Sequence, residues 1–306
     1  MSLTLTIRGL SKRYPRGPQA LNDVSLEIGS GIFGLLGPNG AGKSTLMRIL
    51  ATLQEADDGT VRLGDLDPSR NRQELRRQLG YLPQDFGLDP SVTAERLLDH
   101  LAELKGLTDR RRRRAAVADM LERVHLEDHR RRRLGTFSGG MKQRFGIAQA
   151  LIGDPKLLII DEPTTGLDPE ERRRFFNALA GLSERTIVIL STHLVDDVAE
   201  LCSRMAVLQE GRLRFFGSPA EALERLRGKI WVQKAQGPDP REREAEGDFT
   251  ILRQRRYLGT LLTHVLADAR PGPGFTSAPA ELEDAYFAVL HGAQAGEAAA
   301  DERRRA

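Results

Sequence analysis

Apolar and polar positions alternate in two ways along this chain. Near the N-terminus, the segments Leu3–Ile7 and Val24–Ile28 alternate at every residue, which predicts half-buried strands. Continuous apolar runs, such as Leu157–Ile160, predict buried strands, and apolar residues at every third or fourth position predict helices. Strands and helices follow one another in turn up to about residue 227, and this order predicts an α/β domain with a parallel sheet covered on both faces.

A helical segment interrupts this order. From Ser91 to about Leu126 the pattern is helical and highly charged, and a further helix follows Ser138, which is a good N-cap. We therefore predict an inserted helical subdomain at about residues 86–152. Its first part is predicted to carry one apolar face, formed by Leu97, Leu98, Leu101 and Leu104.

The pattern changes again near Gly228. Two strand-like segments and a helix at 280–290 predict a small C-terminal α+β domain at 228–292, separate from the main domain at 1–227. From residue 293 to 306 alanine, glutamate and arginine dominate, which predicts a disordered tail.

The composition narrows the class of protein. No apolar run approaches the roughly 18 residues that a bilayer span needs, and the single cysteine, Cys202, leaves no internal disulfide and suits a reducing cytoplasm. Arginine is abundant, notably in Arg110–Arg114 and Arg130–Arg133, but the net charge is only +3 and aromatic residues make up 5%. We therefore interpret the arginine runs as solvated helix faces and expect no nucleic-acid partner.

One glycine-rich segment carries the clearest chemistry. It fits the pattern G-x-x-x-x-G-K-[ST] and lies between a predicted buried strand and a predicted helix. Such a turn directs backbone N–H groups toward a phosphate, the lysine reaches the β- and γ-phosphates, and the serine hydroxyl is a ligand for Mg²⁺. The segment consists of Gly37, Pro38, Asn39, Gly40, Ala41, Gly42, Lys43, Ser44 and Thr45.

Two further segments complete a nucleotide site. Asp161 and Glu162 end an apolar strand, where Asp161 can hold Mg²⁺ through water and Glu162 can accept a proton from the attacking water. A second glycine-rich turn, with Ser138, Gly139 and Gly140, opens a helix and provides another anion site. The chain therefore has one phosphate loop but two anion sites. This suggests that the second site completes a nucleotide pocket on another subunit.

This ordered set of motifs resembles the nucleotide-binding subunit of ATP-binding-cassette (ABC) transporters, over about residues 3–227. The resemblance implies a P-loop NTPase fold of the ABC type, with a RecA-like parallel sheet core, an antiparallel β part and an inserted helical subdomain. It makes Gly37–Thr45 the Walker A loop, Ser138–Gly140 the signature, and Asp161 with Glu162 the Walker B pair and general base. It also implies that Tyr14 stacks on adenine, Gln84 contacts Mg²⁺ and water, Asp168 belongs to the D-loop, and His193 contacts the γ-phosphate.

The same resemblance implies a function and its partners. Two subunits, as a homodimer or a heterodimer, would close head to tail on two MgATP and drive a separate transmembrane permease from the cytoplasmic face of the membrane. The usual signature, Leu-Ser-Gly-Gly-Gln, is changed here at Phe137 and Met141, and this variant is similar to the branch that drives ABC-2-type exporters.

Other assignments stay open at this stage. A soluble ABC ATPase acting on ribosomes, DNA or iron–sulfur assembly is one alternative, although the chain has neither a second cassette nor a long coiled coil. A regulatory subunit without hydrolysis is another, and intact Glu162 and His193 argue against it. The transported substrate, the direction of transport and the role of the C-terminal domain are not decided by the sequence.

Overall fold

The computed structural model describes residues 3–15, 17–68, 70–84, 87–163, 168–181, 185–234 and 249–292. The predicted disordered tail at 293–306 lies outside these residues. The chain divides into two compact units. The first contains Met1–His193, Leu201–Ser203 and Leu208–Leu213, and the second contains Leu194–Glu200, Arg204–Val207 and Arg214–Ala306.

The elements up to His193 are seven strands and six helices of the described residues. In chain order they are β1 (Thr4–Arg13), β2 (Gln19–Gly29), β3 (Gly31–Leu36), α1 (Lys43–Leu50), β4 (Asp58–Leu63), α2 (Arg72–Arg77), β5 (Leu79–Leu82), α3 (Ala94–Leu104), α4 (Arg110–Arg123), α5 (Gly139–Leu151), β6 (Leu157–Asp161), α6 (Pro169–Ala180) and β7 (Ile187–Ser191). Two short 3-10 turns, Glu127–His129 and Leu134–Thr136, precede α5.

The remaining elements follow His193. They are α7 (Val195–Leu201), β8 (Arg204–Gln209), β9 (Arg212–Gly217), α8 (Pro219–Glu224), β10 (Ile230–Lys234), β11 (Thr250–Tyr257), β12 (Thr260–Leu266), β13 (Phe275–Ser277) and α9 (Leu282–Leu290). Among the described residues, no helix combines the length and the apolarity that crossing a bilayer requires.

Two sheets form the frame of the first unit. Four parallel strands run in the order β5-β6-β7-β3, which confirms the predicted parallel sheet. Every residue of β6 and β7 is buried, as expected for strands covered on both faces. A second sheet, in the order β2-β1-β4, is antiparallel and forms the predicted antiparallel part.

The helical insert differs from its prediction in one respect. The stretch from Ser91 to Leu126 is divided into α3 and α4, because Gly106 adopts a left-handed conformation (φ 98°) and Asp109 caps the start of α4. The buried stripe of α3 contains Ala94, Leu98 and Ala102, whereas Leu104 is 61% exposed. The predicted apolar face is therefore partly open to solvent at its C-terminal end.

The second unit contains an antiparallel sheet in the order β11-β12-β10-β13. The strand-like segments at 230–232 and 249–252 lie in β10 and β11, and the helix expected at 280–290 is α9. β12 and β13 were not predicted. Phe249, Val265 and Phe275 form a buried cluster against which Trp231 packs.

Candidate nucleotide-binding site

The phosphate loop connects the end of β3 to the start of α1. The amide of Ala41 donates to the carbonyl of Pro38 at 3.1 Å, which forms a tight turn, and α1 begins at Lys43. The Lys43 Nζ donates to the carbonyls of Gly37 (2.6 Å) and Pro38 (3.2 Å), so the ammonium lies within the curve of the loop. A helix N-terminus, a curled backbone and a central ammonium together form an anion-binding cradle.

Two glycines of this loop are required by their surroundings. Gly42 has φ 103°, and a Cβ added there would collide with the backbone carbonyl of Ala20. At Gly37 a Cβ would collide with the backbone carbonyl of Leu208. Because backbone atoms cannot move aside as flexible side chains can, both positions exclude any larger residue.

The two carboxylates lie at the carboxyl end of β6. Asp161 is buried at the last position of the strand, and Glu162 follows with φ 51°, a left-handed conformation that is uncommon for glutamate. The Glu162 amide donates to the carbonyl of Ser191 at 2.9 Å, which ties this turn to the end of β7. Such a conformation persists only where the surrounding structure holds it, and it is frequent at catalytic positions.

Electrostatics connect these carboxylates to the phosphate loop. Burial lowers the pKa of Lys43, and the negative charges of Glu162 and Asp161 act in the opposite direction. The two segments, distant in sequence, therefore form one site in which a cation faces two anions.

His193 contacts the predicted base directly. It follows β7, which pairs with β6 in a register that places Asp161 opposite Ser191. The Nδ1 of His193 lies 2.5 Å from Oε2 of Glu162, and the histidine side chain is 53% exposed whereas that of Glu162 is 11% exposed. His193 therefore fixes the direction of the carboxylate and keeps one face of its ring open to a ligand.

Gln84 and Tyr14 lie at the margins of the same site. β5 pairs with β6 so that Leu82 is opposite Ile160, which brings the exposed Gln84 to the sheet edge where Asp161 lies. The Tyr14 hydroxyl is 3.3 Å from the Thr45 hydroxyl and donates to Gln54 at 3.0 Å, and the hydrogen bond with Thr45 lowers the pKa of Tyr14. This places the half-exposed tyrosine against the first turn of α1.

The donor set at this edge fits Mg²⁺. Ser44 presents an exposed hydroxyl in the first turn of α1, Asp161 contributes a carboxylate, and Gln84 contributes an amide oxygen. These are hard oxygen ligands, few in number, as Mg²⁺ prefers when it is also bound by phosphates and water.

The second glycine-rich turn begins α5. The Ser138 hydroxyl accepts from the amide of Met141 at 3.3 Å, and the carboxylate of Glu171 packs against Gly140 so closely that a Cβ would collide with it. Within the described residues, no hydrogen bond joins Ser138, Gly139 or Gly140 to the phosphate loop. Asp168 caps α6 by accepting from the amide of Glu171 at 2.8 Å.

One contact of the site was not predicted from the sequence. The Gln143 side-chain amide, on the second turn of α5, donates to the carbonyl of Pro163 at 2.9 Å. Pro163 directly follows Glu162, so the helix that carries the second glycine-rich turn also holds the backbone beside the predicted base. Gln143 lies on the helix predicted to follow Ser138, but no local pattern indicates its partner.

The fold and the site define a P-loop nucleoside triphosphatase. The sequence model of the family described as "ABC transporter" matches residues 21–165. A curated relative, "Nod factor export ATP-binding protein I" of Burkholderia orbicola (strain AU 1054), is 35% identical over 294 residues, which cover 92% of this chain and 95% of the relative. "Probable multidrug ABC transporter ATP-binding protein YbhF" of Escherichia coli (strain K12) is 37% identical over 231 residues, which cover 74% of this chain and 40% of that protein.

Solved structures agree with this relationship. "Structure of ATP binding subunit of ABC transporter" has a TM-score of 0.67 and 27% identity and covers 79% of this chain and 98% of that one. "Dimeric structure of a post-hydrolysis state of the ATP-binding cassette MJ0796 bound to ADP and Pi" has a TM-score of 0.63 and 28% identity, and the match covers 70% of this chain and 98% of that one. The chain belongs to the ABC transporter family as an ATP-binding subunit, and its enzymatic activity is the hydrolysis of ATP.

Proposed function

We propose that this subunit hydrolyses MgATP in a head-to-tail dimer and thereby drives export through a separate membrane permease. The observation that carries the proposal is the site in which Lys43, Asp161, Glu162 and His193 converge on the phosphate loop. The export direction follows the names of two relatives, one a Nod factor export protein and the other a probable multidrug transporter protein.

Each side chain then has a role in hydrolysis. Lys43 and the loop amides bind the β- and γ-phosphates, and Ser44, Gln84 and Asp161 would hold Mg²⁺, which neutralises phosphate charge when bound. Glu162 orients the attacking water and accepts its proton. His193 holds Glu162 through the 2.5 Å contact and turns its other nitrogen to the γ-phosphate.

The margins of the site bind the rest of the nucleotide and the partner subunit. Tyr14 stacks on adenine beside α1. Ser138, Gly139 and Gly140 present the N-terminus of α5 to the nucleotide held by a second subunit, and Asp168 acts at the same dimer interface. This arrangement gives the dimer two composite sites of the isologous kind.

A groove on the first unit suits a helix of the permease. It has a volume of about 580 Å³. Leu53 and Leu104 at its edge are 60% and 61% exposed, so the groove offers apolar surface to a partner. Residues of α2, β5 and α3 line it, among them Arg76, Tyr81, Leu101 and Lys105. An amphipathic cytoplasmic helix fits such a groove with its apolar face inward.

Complementation between two inactive variants tests the composite site. Lys43→Ala removes the phosphate-binding ammonium, and Gly139→Asp places a negative charge at the signature, where the structure has open space for the new side chain. Each variant alone should be inactive. A mixture should recover about a quarter of wild-type activity, since half of its dimers are mixed and each of those has one intact site.

Activity that stays absent in the mixture would contradict the head-to-tail site. Activity retained by Gly139→Asp alone would show that the signature takes no part in binding the nucleotide.

A further inference from the structure

Five consecutive arginines, Arg110–Arg114, begin α4. Arg113 points inward, where its guanidinium donates to Asp99 at 2.9 Å and to the carbonyl of Leu107 at 3.1 Å. Arg110, Arg111, Arg112 and Arg114 are exposed. Across the part of the chain that the structure describes, no carboxylate forms an ion pair with these four side chains.

These four charges destabilise the helix on which they lie. Beyond the N-cap Asp109, the first turn of α4 contains no acidic residue, so there the positive end of the helix dipole meets further positive charge. Arg114 is also four residues from Arg110 and three from Arg111, spacings at which like charges repel. Two other exposed helix arginines are paired within their own helix, Arg123 with Asp119 and Arg174 with Glu170.

A contact with α3 locates the arginine-rich start of α4. Arg113 binds Glu103, which is adjacent to Leu104 and Lys105 at the edge of the groove described above. The start of α4 therefore flanks the groove. This inference rests on the proposed function, in which a helix of the permease enters the groove from the membrane. In that arrangement the groove and the start of α4 are turned toward the lipid headgroups.

We propose that Arg110, Arg111, Arg112 and Arg114 bind the headgroups of anionic phospholipids beside the permease. Each residue of a helix advances by about 100°, so these side chains spread over about 200° of the α4 surface. A layer of mobile anionic headgroups can reach all four guanidinium groups, whereas one acidic segment of a protein reaches a narrower arc. Clusters of four or more basic residues next to a membrane surface bind anionic lipid in this way.

The second arginine run supplies a matched control. Arg130–Arg133 lies at the opposite end of α3, where the amide of Glu95 donates to the Arg130 carbonyl at 2.9 Å. Only His129 separates it from Glu127 and Asp128, so its charge is partly balanced.

Vesicle flotation of the full chain tests the assignment. Wild type, R110Q/R111Q/R114Q and R130Q/R131Q/R133Q are compared on vesicles of phosphatidylcholine alone and of phosphatidylcholine with phosphatidylglycerol. Wild type should bind only the anionic vesicles. The α4 variant should lose on the order of 100-fold in binding, since each basic residue contributes about 1 kcal/mol at an anionic surface. The control variant should lose less than about threefold on the same scale.

Two further readouts separate this result from misfolding. The α4 variant should unfold at a temperature no lower than wild type, because it loses repulsive pairs, and its ATP hydrolysis without membranes should be unchanged. Equal losses in both variants, or no preference of wild type for anionic vesicles, would overturn the assignment.

Co-purification with the permease distinguishes the remaining outcomes. If the α4 variant binds anionic vesicles like wild type but no longer retains a membrane protein, the arginines contact the permease and the lipid assignment is wrong. If wild type binds anionic vesicles through these arginines and no membrane protein ever co-purifies, the lipid assignment stands and the proposed function fails.

Discussion

Single residues of the site adopt backbone conformations that most side chains avoid. Gly42 and Glu162 both have positive φ angles, of 103° and 51°. Gly42 needs glycine for a second reason, because the Ala20 carbonyl occupies the space that a Cβ would fill. The strained conformation of Glu162 is held by the hydrogen bond that its amide donates to the Ser191 carbonyl and by the contact of its carboxylate with His193.

Alanine substitutions separate strain from steric collision in the phosphate loop. Gly40 also has a positive φ, of 81°, but faces open space, so Gly40→Ala should cost about 1 kcal/mol of unfolding free energy from strain alone. Gly42→Ala should cost at least about 1 kcal/mol more, because the backbone near Ala20 must shift. Urea unfolding followed by circular dichroism measures both, and equal losses would contradict the collision.

Gln143 should act as a positioning residue for the base. Gln143→Leu removes the hydrogen bond to the Pro163 carbonyl and should lower kcat for ATP on the order of 10-fold, since small displacements of a catalytic group are costly. KM should change little, because Gln143 does not belong to the phosphate loop. Gln149→Leu, on the same helix, is the control. A change in KM with an unchanged kcat would contradict this role.

The sequence predicts those parts of the site whose residues are close together along the chain better than those whose residues are far apart. The phosphate loop is local, so its residues and the start of α1 were predicted from adjacent positions alone. The approach of Asp161 and Glu162 to Lys43 was predicted through the rule that strand ends share one sheet edge. No local pattern predicts the hydrogen bond between Gln143 and the Pro163 carbonyl, because that bond depends on how α5 packs beside β6.

Among the elements, β11, β12 and α9 enclose a buried ionic cluster. Arg253 donates to Asp284 at 2.7 Å and also pairs with Glu281 and Glu283, while His264 lies 3.0 Å from the same oxygen of Asp284. Asp284 is fully buried and Arg253 is 8% exposed. Burial opposes ionisation of Asp284 and Glu281, but hydrogen bonds outweigh burial and lower the pKa of both carboxyl groups. Asp284 accepts from His264, from the Glu281 amide and from Arg253. Glu281 accepts from Arg253.

The pH dependence of stability tests this cluster. Because both carboxyl groups have a lowered pKa in the folded chain, their stabilisation is present above the ordinary carboxyl pKa and disappears as pH falls through the folded value. Arg253→Met should cost about 3–5 kcal/mol at neutral pH, the usual cost of leaving a buried charge unpaired. The difference between wild type and variant should shrink between about pH 5 and pH 3, as the carboxylates become protonated.

The chain has a single tryptophan, Trp231, and it packs in the second unit. Its fluorescence during urea unfolding therefore reports on this unit. A difference between wild type and Arg253→Met that stays constant from neutral to acidic pH would contradict the assigned role.

The elements missed by sequence analysis share physical causes. β12 buries Thr263, His264 and Val265 in succession, so it shows no alternation of polar and apolar positions. α2 has six residues and buries only Leu75, and β13 has three residues, both too short to show a period. The division between α3 and α4 depends on Gly106, which ends one helix, and on Asp109, which caps the next, and the prediction of one helical stretch did not weigh these two residues.

At the scale of the whole molecule, the proposed function needs partners beyond this chain. The phosphate loop and carboxylates lie on one chain, whereas the proposed site needs the signature of a second subunit. The groove with Leu53 and Leu104 is proposed to receive the permease, and the arginines at the start of α4 are proposed to bind lipid beside it. No sequence pattern of this chain identifies the proposed permease or the substrate that it would transport.

The most direct test of this account is recovery of tagged Glu162→Gln protein from native membranes with MgATP, followed by identification of the proteins that co-purify. Loss of the base should trap the ATP-bound dimer, and a polytopic membrane protein should be recovered with it. Adding Leu104→Asp in the groove should abolish that recovery. Adding Leu258→Asp, at a leucine that is 89% exposed in the second unit, should not. Recovery of ribosomes, DNA or assembly factors without a membrane protein would contradict the account.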